Sequence, residues 1–402
     1  MPISKLWSLA LRDLGRNRRR SLLTLLAVAL GLALLIVLNG LIAGVFADSL
    51  QNSIRLRTGH VQLRAEGYLD DQLSLQAKDL LANPAELAGR AAALGQVKAA
   101  APVIWASAML GTLDDSSGVQ LYGVDPASPI YAPIREAVVA GEFLTADDRS
   151  GVLIGKTLAD SLGIAVGQKV GLALVNADGS PDEGAFTVRG LFATGIPTYD
   201  QSAALMPLSK AQAFTGVGDR ASAIVILLNR QEDTDAVAAA LRAPGMAVLT
   251  WSDLNQLFVQ AIQTSMGFYI ILDLIVMLIV AVIIANTLLM SVFERIREIG
   301  ILSALGMKRR EIRRMFLLEA STLGLAGCLL GLAIGLAGVA YLSVNGIALT
   351  DKQASVAGNS FALGTAMYAR FAAGTFASLA LATLLIVLIG SYKRSVSIKR
   401  VK

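Results

Sequence analysis

One cysteine and one histidine are all that this 402-residue sequence offers of thiol or imidazole chemistry. Cys328 lies inside an apolar run, so there is neither a disulfide framework nor a zinc cluster. His60 has no second His or Cys near it and cannot supply both a catalytic triad and a metal site; it reads as a surface or stalk residue. No G-x-x-x-x-G-K-[ST] phosphate loop occurs. The stretch Gly163–Lys169 echoes one but lacks both the spacing and the hydroxyl residue after the lysine. G-x-S-x-G and H-E-x-x-H are absent too, so no catalytic constellation supports an enzyme.

Charge is also scarce, at 16% against 54% hydrophobic residues. That is too apolar for an ordinary soluble enzyme, yet the middle of the chain is too polar for an all-membrane transporter. Proline is confined as well: nine of the ten lie between Pro84 and Pro244, and the later apolar runs have none. The net charge of +5 hides an asymmetry. Residues 1–20, 294–314 and 393–402 hold 18 of the 35 Lys and Arg but only four acids, whereas residues 48–267 hold 15 basic residues and 23 acidic ones. The positive-inside rule places the three basic segments in the cytoplasm and the acidic block outside. The basic residues therefore point to topology and anionic lipid headgroups, not to nucleic acid.

These patterns predict an α-helical membrane protein with four transmembrane helices. A large α/β extracytoplasmic domain with a β-rich insert lies between helices 1 and 2, and both termini are cytoplasmic. Residues 1–20 read as an interfacial helix with Ile3, Leu6, Trp7, Ala10 and Leu14 on one face; a disordered basic leader is the alternative. The first span, 21–47, is free of charge until its end and ample for ~30 Å of hydrocarbon. Val45-Phe46-Ala47 could pass for a signal-peptidase site, but the apolar core is too long for a signal peptide, so an uncleaved anchor is expected. The helix should continue through Leu50 and Ile54 and end near Gly59.

The outer block, 48–267, mixes alternating strands (His60–Arg64, Val119–Gly123, Ala223–Leu228) with helical stretches at Glu86–Leu94 and Thr234–Arg242. A patch of strands and turns marks the insert at about 135–208. Thr250 to Asp253 form a capping-box pattern that opens a helix with no breaker before Gly267, leading into the second span, 268–293. This helix and the outward extension of the first would make a two-helix stalk. The third span is 316–342, followed by a polar outer loop at 343–370, the fourth span at 371–389 and a basic tail at 390–402. Gly327, Gly331 and Gly335 repeat every four residues in the third span, a spacing that lets helix backbones approach closely in lipid.

Asp273 is the one carboxylate well within a span; either it carries function or it snorkels to the nearby outer interface, the reading preferred here. Asn39 and Asn286 read as interhelical hydrogen-bonding groups, Glu319 as a partner of the basic cluster. No polar pathway crosses the membrane, which disfavours a hydrophilic substrate passing through the chain.

The organising stretch joins the second and third spans. Glu294, Arg295, Arg297 and Glu298 lie on one side of a short amphipathic segment, 294–315, and Ile296, Ile299, Leu302 and Leu305 recur at helical spacing on the other. A chain that leaves the bilayer, turns and re-enters exposes a small docking surface. Ser291–Gly306, S-V-F-E-R-I-R-E-I-G-I-L-S-A-L-G, resembles the cytoplasmic coupling segment of the FtsX-like permeases, the membrane subunits of MacB/LolCDE-type ABC transporters. Val152-Leu153-Ile154-Gly155 through Gly167, and the region of Trp251, are similar to the family's periplasmic domain. Because the chain carries no ATPase, it resembles the lipoprotein-releasing LolC/LolE branch.

The resemblance implies a non-catalytic subunit that needs no cofactor of its own, with ATP and Mg on a separate cytoplasmic ABC ATPase. That partner would grip Glu294, Arg295, Arg297, Glu298, Ile299, Gly300, Leu302, Leu305 and Gly306. A second permease copy or a related permease, a periplasmic protein or lipoprotein, and membrane lipids complete the expected partners. Mechanotransmission would drive movement or release of a lipoprotein, lipid or other amphipathic substrate. A regulatory relative that switches a cell-wall hydrolase is the alternative. Two departures stand out: Ser303 replaces the usual arginine, and the usual proline-and-alanine-leucine tail is missing at Lys402, implying a truncated end or a different ATPase contact.

Overall fold

The computed structural model describes residues 18–68, 73–294, 297, 300, 301, 304, 307–350, 353 and 363–397. The interfacial helix expected before Arg18 and the basic residues after 397 lie outside them. The described residues divide into an outer unit, within 47–261 and 348–366, and a helical unit, within 1–46, 262–347 and 367–402.

The strands of the outer unit run in chain order as β1 (Val61–Ala65), β2 (Leu81–Ala82), β3 (Val97–Gly111), β4 (Ser116–Val124), β5 (Val138–Gly141) and β6 (Gly151–Gly155). They continue as β7 (Lys169–Val175), β8 (Pro181–Phe192), β9 (Ala203–Pro207), β10 (Arg220–Ala221), β11 (Ala223–Leu228) and β12 (Met246–Thr250). β12, β1, β11 and the first half of β3 form an antiparallel sheet. Side chains alternate across it. Val61, Leu63, Ile224, Ile226 and Leu228 face the helices Pro84–Ala92 and Thr234–Ala240 in one apolar cluster, while Ala223 and Val225 join the core on the other side. Each large aliphatic side chain buried this way contributes about 1.5–3 kcal/mol.

β3 links two layers. Beyond Val103 it pairs with β4 along Ile104–Gly111, and its last four residues also pair with β7. Following the pairings β3–β4–β9–β6–β8–β7 returns to β3, so six strands close on themselves as a small barrel. Closure removes exposed strand edges, and Leu110, Leu121, Ile154, Leu172, Phe186 and Ala204 fill the interior. The insert expected over 135–208 is therefore revised. Its strands are not self-contained, because β3 and β4, which lie outside it in sequence, supply two of the six staves.

Two helix ends differ from a simple reading. The α-helix Arg18–Ser53 passes into a π-helical turn, Ile54–Thr58, before Gly59. Gly59 has φ +63°, and a Cβ there would lie 2.7 Å from Val225 Cγ1 and 2.9 Å from Ile226 O, so glycine is required. The helix expected without a break after Thr250 is interrupted. The capping box forms, with Thr250 N donating to Asp253 Oδ2 at 2.9 Å and Asp253 N to Thr250 Oγ1 at 3.3 Å, but the helix ends at Leu254. Asn255 turns its amide back onto Trp251 O (2.7 Å) and accepts from Ser53 Oγ (2.8 Å), a local competition that asparagine often wins against helix continuation. A new helix then runs over Gln256–Glu294.

Among the described residues, three helices are long and apolar enough to cross a membrane: Ser21–Thr58, Gln256–Ile283 and Ser321–Asn345. A shorter apolar stretch, Ala373–Ile389, lies within the helix Ala373–Ser397. In the helical unit the first helix is the most enclosed. Its Val28, Leu32, Leu35 and Ile36 cluster with Met277, Val280, Cys328, Val339, Phe376, Leu379 and Val387. The second helix exposes Phe268, Ile271, Ile275 and Ile279, as lipid-facing positions do.

Candidate functional site

The glycine repeat of the third long helix, Arg309–Asn345, faces the first. A Cβ at Gly331 would stand 2.6 Å from Ala29 O and 3.0 Å from Ala29 Cα; at Gly327 it would meet Val28 Cβ at 2.9 Å, and at Gly335 Ile36 Cβ at 2.9 Å. Only residues without a side chain let the two backbones come this near, which maximises dispersion contact where lipid offers no hydrophobic driving force.

Asp273 has a partner within the helical unit. Asn39 Nδ2 donates to Asp273 Oδ1 at 3.1 Å and Oδ2 at 3.3 Å, and also to Leu35 O at 2.9 Å. The carboxylate is thus tied to the first helix by a helix-to-helix bond, a partner that sequence reasoning did not name. Asn286 is exposed. Glu319 is buried near the start of the third long helix.

Of the coupling segment, Glu294 closes the helix Gln256–Glu294, and Arg297 and Gly300 are helical and exposed. Arg295, Glu298, Ile299, Leu302, Leu305 and Gly306 lie outside the described residues. Ile301 and Ala304, also helical and exposed, extend Arg297 and Gly300 into an i, i+3, i+4, i+7 row on one helix face. Ile301, 55% exposed, was not singled out by sequence reasoning; the hydrophobic pattern from Ile296 to Leu305 drew attention to the opposite face. Next comes the cap of the third long helix, where Lys308 N donates to Glu311 Oε2 at 3.0 Å.

In the outer unit, His60 is not a loose surface group. Leu228 N donates to its Nδ1 at 3.1 Å, which requires that nitrogen to be an acceptor, and half-burial holds the imidazole below its ordinary pKa. Its backbone bridges β11 and the end of β12, through His60 N to Ile226 O and Trp251 N to His60 O. Tyr122, Tyr131 and Tyr199 are buried together and pushed upward chiefly by desolvation. Burial also raises Asp200, while bonds from Thr194 N (3.0 Å) and Oγ1 (2.7 Å) oppose the shift. No group of three or more metal-ligating side chains occurs among the described residues. What the described residues offer is helix packing and an exposed turn.

Residues 21–243 match the family model of the MacB-like periplasmic core domain, and residues 270–396 match that of the FtsX-like permease C-terminal region. The chain belongs to the MacB/LolC-type family of ABC-transporter permeases. This permease is 25% identical over 349 residues to the lipoprotein-releasing system transmembrane protein LolC of Neisseria meningitidis serogroup B, covering 81% of this chain and 79% of LolC. It is 28% identical over 386 residues to the macrolide export ATP-binding/permease protein MacB of Hyphomonas neptunium, covering 89% of this chain but only 57% of that protein. The permease thus spans little more than half of that MacB's length. Among solved structures, the periplasmic region of MacB from Actinobacillus actinomycetemcomitans covers 52% of this chain and 96% of its own, at 16% identity and a TM-score of 0.36.

Proposed function

We propose that this permease is the non-catalytic membrane subunit of a mechanotransmitting ABC transporter, with four spans, both termini in the cytoplasm and the acidic domain in the periplasm. ATP and Mg belong to a separate cytoplasmic ATPase that binds the turn from Glu294 to Gly306. Two permeases, identical or related, face each other. Closure of the ATPase shifts the long helices, and the outer domains move or release a lipoprotein, lipid or other amphipathic molecule.

The observation that carries this reading is the exposed helical row Arg297, Gly300, Ile301 and Ala304, between two long apolar helices. An exposed isoleucine between a guanidinium and small residues suits a groove in a protein partner, where an apolar anchor supplies affinity and the charge sets register. Glu294, Arg295 and Glu298 supply further polar contacts, and Ile299, Leu302 and Leu305 further apolar ones. Amphipathic cargo is supported by the pairing of Asn39 with Asp273, the polar side chains of two apolar helices that bond to each other.

The test is affinity purification of the full-length protein in mild detergent, with identification of what co-elutes. The reading requires a stoichiometric ABC ATPase that is lost from Glu298→Lys and Leu305→Asp variants which still insert. Retention by both variants contradicts it, and co-elution of a cell-wall hydrolase would favour a regulatory role.

A further inference from the structure

We infer that the first, third and fourth apolar helices form one block, clasped by a non-helical strap at residues 368–370, and that the second helix is the element that shifts against it. The division stands on contacts within the helical unit; its use in carrying motion rests on the ATPase reading above.

The strap leads into the fourth helix through residues 368–372, which have no regular structure. Two of its amides find partners on two other helices. Ala369 N donates to Leu342 O, near the end of the third long helix, at 3.3 Å, and Arg370 N donates to Gly40 O, inside the first, at 2.9 Å. A carbonyl has two lone pairs, so one in a helix can accept the strap as well as its own turn. Glycine makes the approach possible. A Cβ at Gly44 would collide with Tyr368 O and stand 2.9 Å from Tyr368 C. At Gly40, one turn away, it would lie 2.8 Å from Val339 Cγ2, 3.4 Å from Arg370 O and 3.5 Å from Phe376 Cζ. The four-residue glycine spacing of the third helix thus recurs in the first, where it seats a strap. Elsewhere in the block Gly331 meets Ala29, and a Cβ at Gly324 would stand 2.5 Å from Val387 Cγ1 on the fourth helix. Ala369 is buried, so opening the strap would strand backbone donors away from water, which is costly.

The second helix is held differently. Three contacts with the first lie along one stripe. The rings of Tyr269 and Phe46 are 6.4 Å apart, Asp273 accepts from Asn39, and a Cβ at Gly31 would stand 2.5 Å from Val280 Cγ2. None of these three is a backbone hydrogen bond. Within residues 262–283 of this helix, Met277 and Val280 are the buried positions. Apolar contacts of this kind lose little when lipid replaces the neighbour, which leaves the Asn39–Asp273 bond to hold the register. Asn39 and Gly40, adjacent in sequence, therefore mark the division: the Gly40 carbonyl serves the block and the Asn39 side chain serves the second helix. That helix ends at Glu294, so a force on the turn beyond it acts along its length.

The test uses the full-length protein with Cys328→Ala in mild detergent, spin-labelled at pairs of introduced cysteines on exposed positions, with label-to-label distances recorded by pulsed electron paramagnetic resonance. Leu34→Cys with Leu381→Cys spans the block; Leu34→Cys with Leu278→Cys spans the first and second helices. The inference expects a narrow distance distribution for the block pair and a wider one for the second-helix pair. Asn39→Leu should widen only the second-helix pair and Gly44→Leu only the block pair. Gly374→Ala, where an added Cβ meets nothing within 4 Å, should change neither. Equal widths in the wild type overturn the inference whether or not Gly44→Leu folds, as does widening of both pairs by Asn39→Leu; a block pair unmoved by Gly44→Leu removes the strap. With a co-eluting ATPase, ATP and vanadate should shift the second-helix distance and leave the block distance in place, and any other pattern overturns the lever. If no ATPase co-elutes, the function proposed above fails, while the two wild-type widths still decide the division.

Discussion

Asn39 Nδ2 lies 3.1 and 3.3 Å from the two carboxylate oxygens of Asp273, joining two apolar helices across 234 residues of sequence. In a low-dielectric setting a carboxylate without a donor is costly, so the pair should behave as a unit. A double-mutant cycle with Asn39→Leu and Asp273→Leu, read by unfolding of the purified protein in mixed micelles, is expected to give a coupling of about 0.6–2 kcal/mol. Strictly additive effects would show that the bond contributes nothing to the helical unit.

Close backbone approach makes a different demand. Gly331→Ala puts a methyl group 2.6 Å from Ala29 O, and that neighbour is backbone that cannot rotate away. The variant is expected to lose about 1–3 kcal/mol. Gly267→Ala, in the middle of the second long helix with nothing within 4 Å of the added Cβ, should gain about 0.5–1 kcal/mol from helix propensity. Thermal midpoints of the two variants should therefore move in opposite directions; matching shifts would refute the packing assignment.

His60 supplies a pH dependence whose sign is fixed by its lowered folded pKa. The stabilisation is fully present above the unfolded value, about 6.5, and is lost as pH falls through the folded value, because protonation destroys the acceptor that Leu228 N uses. Between pH 7.5 and 5 the wild type should lose more thermal stability than His60→Asn, whose side-chain oxygen can accept in place of Nδ1 but does not titrate. Equal losses in the two proteins would remove His60 from the account.

Much of this was legible from local pattern. The apolar runs, the capping box at Thr250 and Asp253, and the glycines at four-residue spacing are all short-range signals with a direct physical meaning. The alternating Ala223–Leu228 was likewise readable as a strand. What escaped depends on distant partners. β3 begins Val97-Lys98-Ala99-Ala100-Ala101-Pro102, which shows no strand preference, and it becomes a strand because β11, β4 and β7 pair with it. Barrel closure likewise needs Ala108 to meet Leu174, which no window of sequence reveals. Among the functional residues, Arg297 and Gly300 were read from their motif, whereas Ile301 lay on the helix face that the hydrophobic pattern did not mark. Asn255 was missed because an asparagine inside a helical pattern breaks it only when a partner such as Ser53 is waiting.

The most direct test of the central claim is the ATPase content and activity of the full-length protein purified by affinity in mild detergent, as wild type and with Ile301→Asp or Leu305→Asp. Ile301 is described and exposed, so its substitution perturbs the surface of the turn without disturbing a core. The account predicts one ABC ATPase co-eluting in stoichiometric amount with the wild type, ATP hydrolysis in that eluate, and loss of both from the two variants while each still inserts and elutes as a folded protein. A wild type that elutes alone under every gentle condition, or variants that keep a full complement of ATPase, would contradict it.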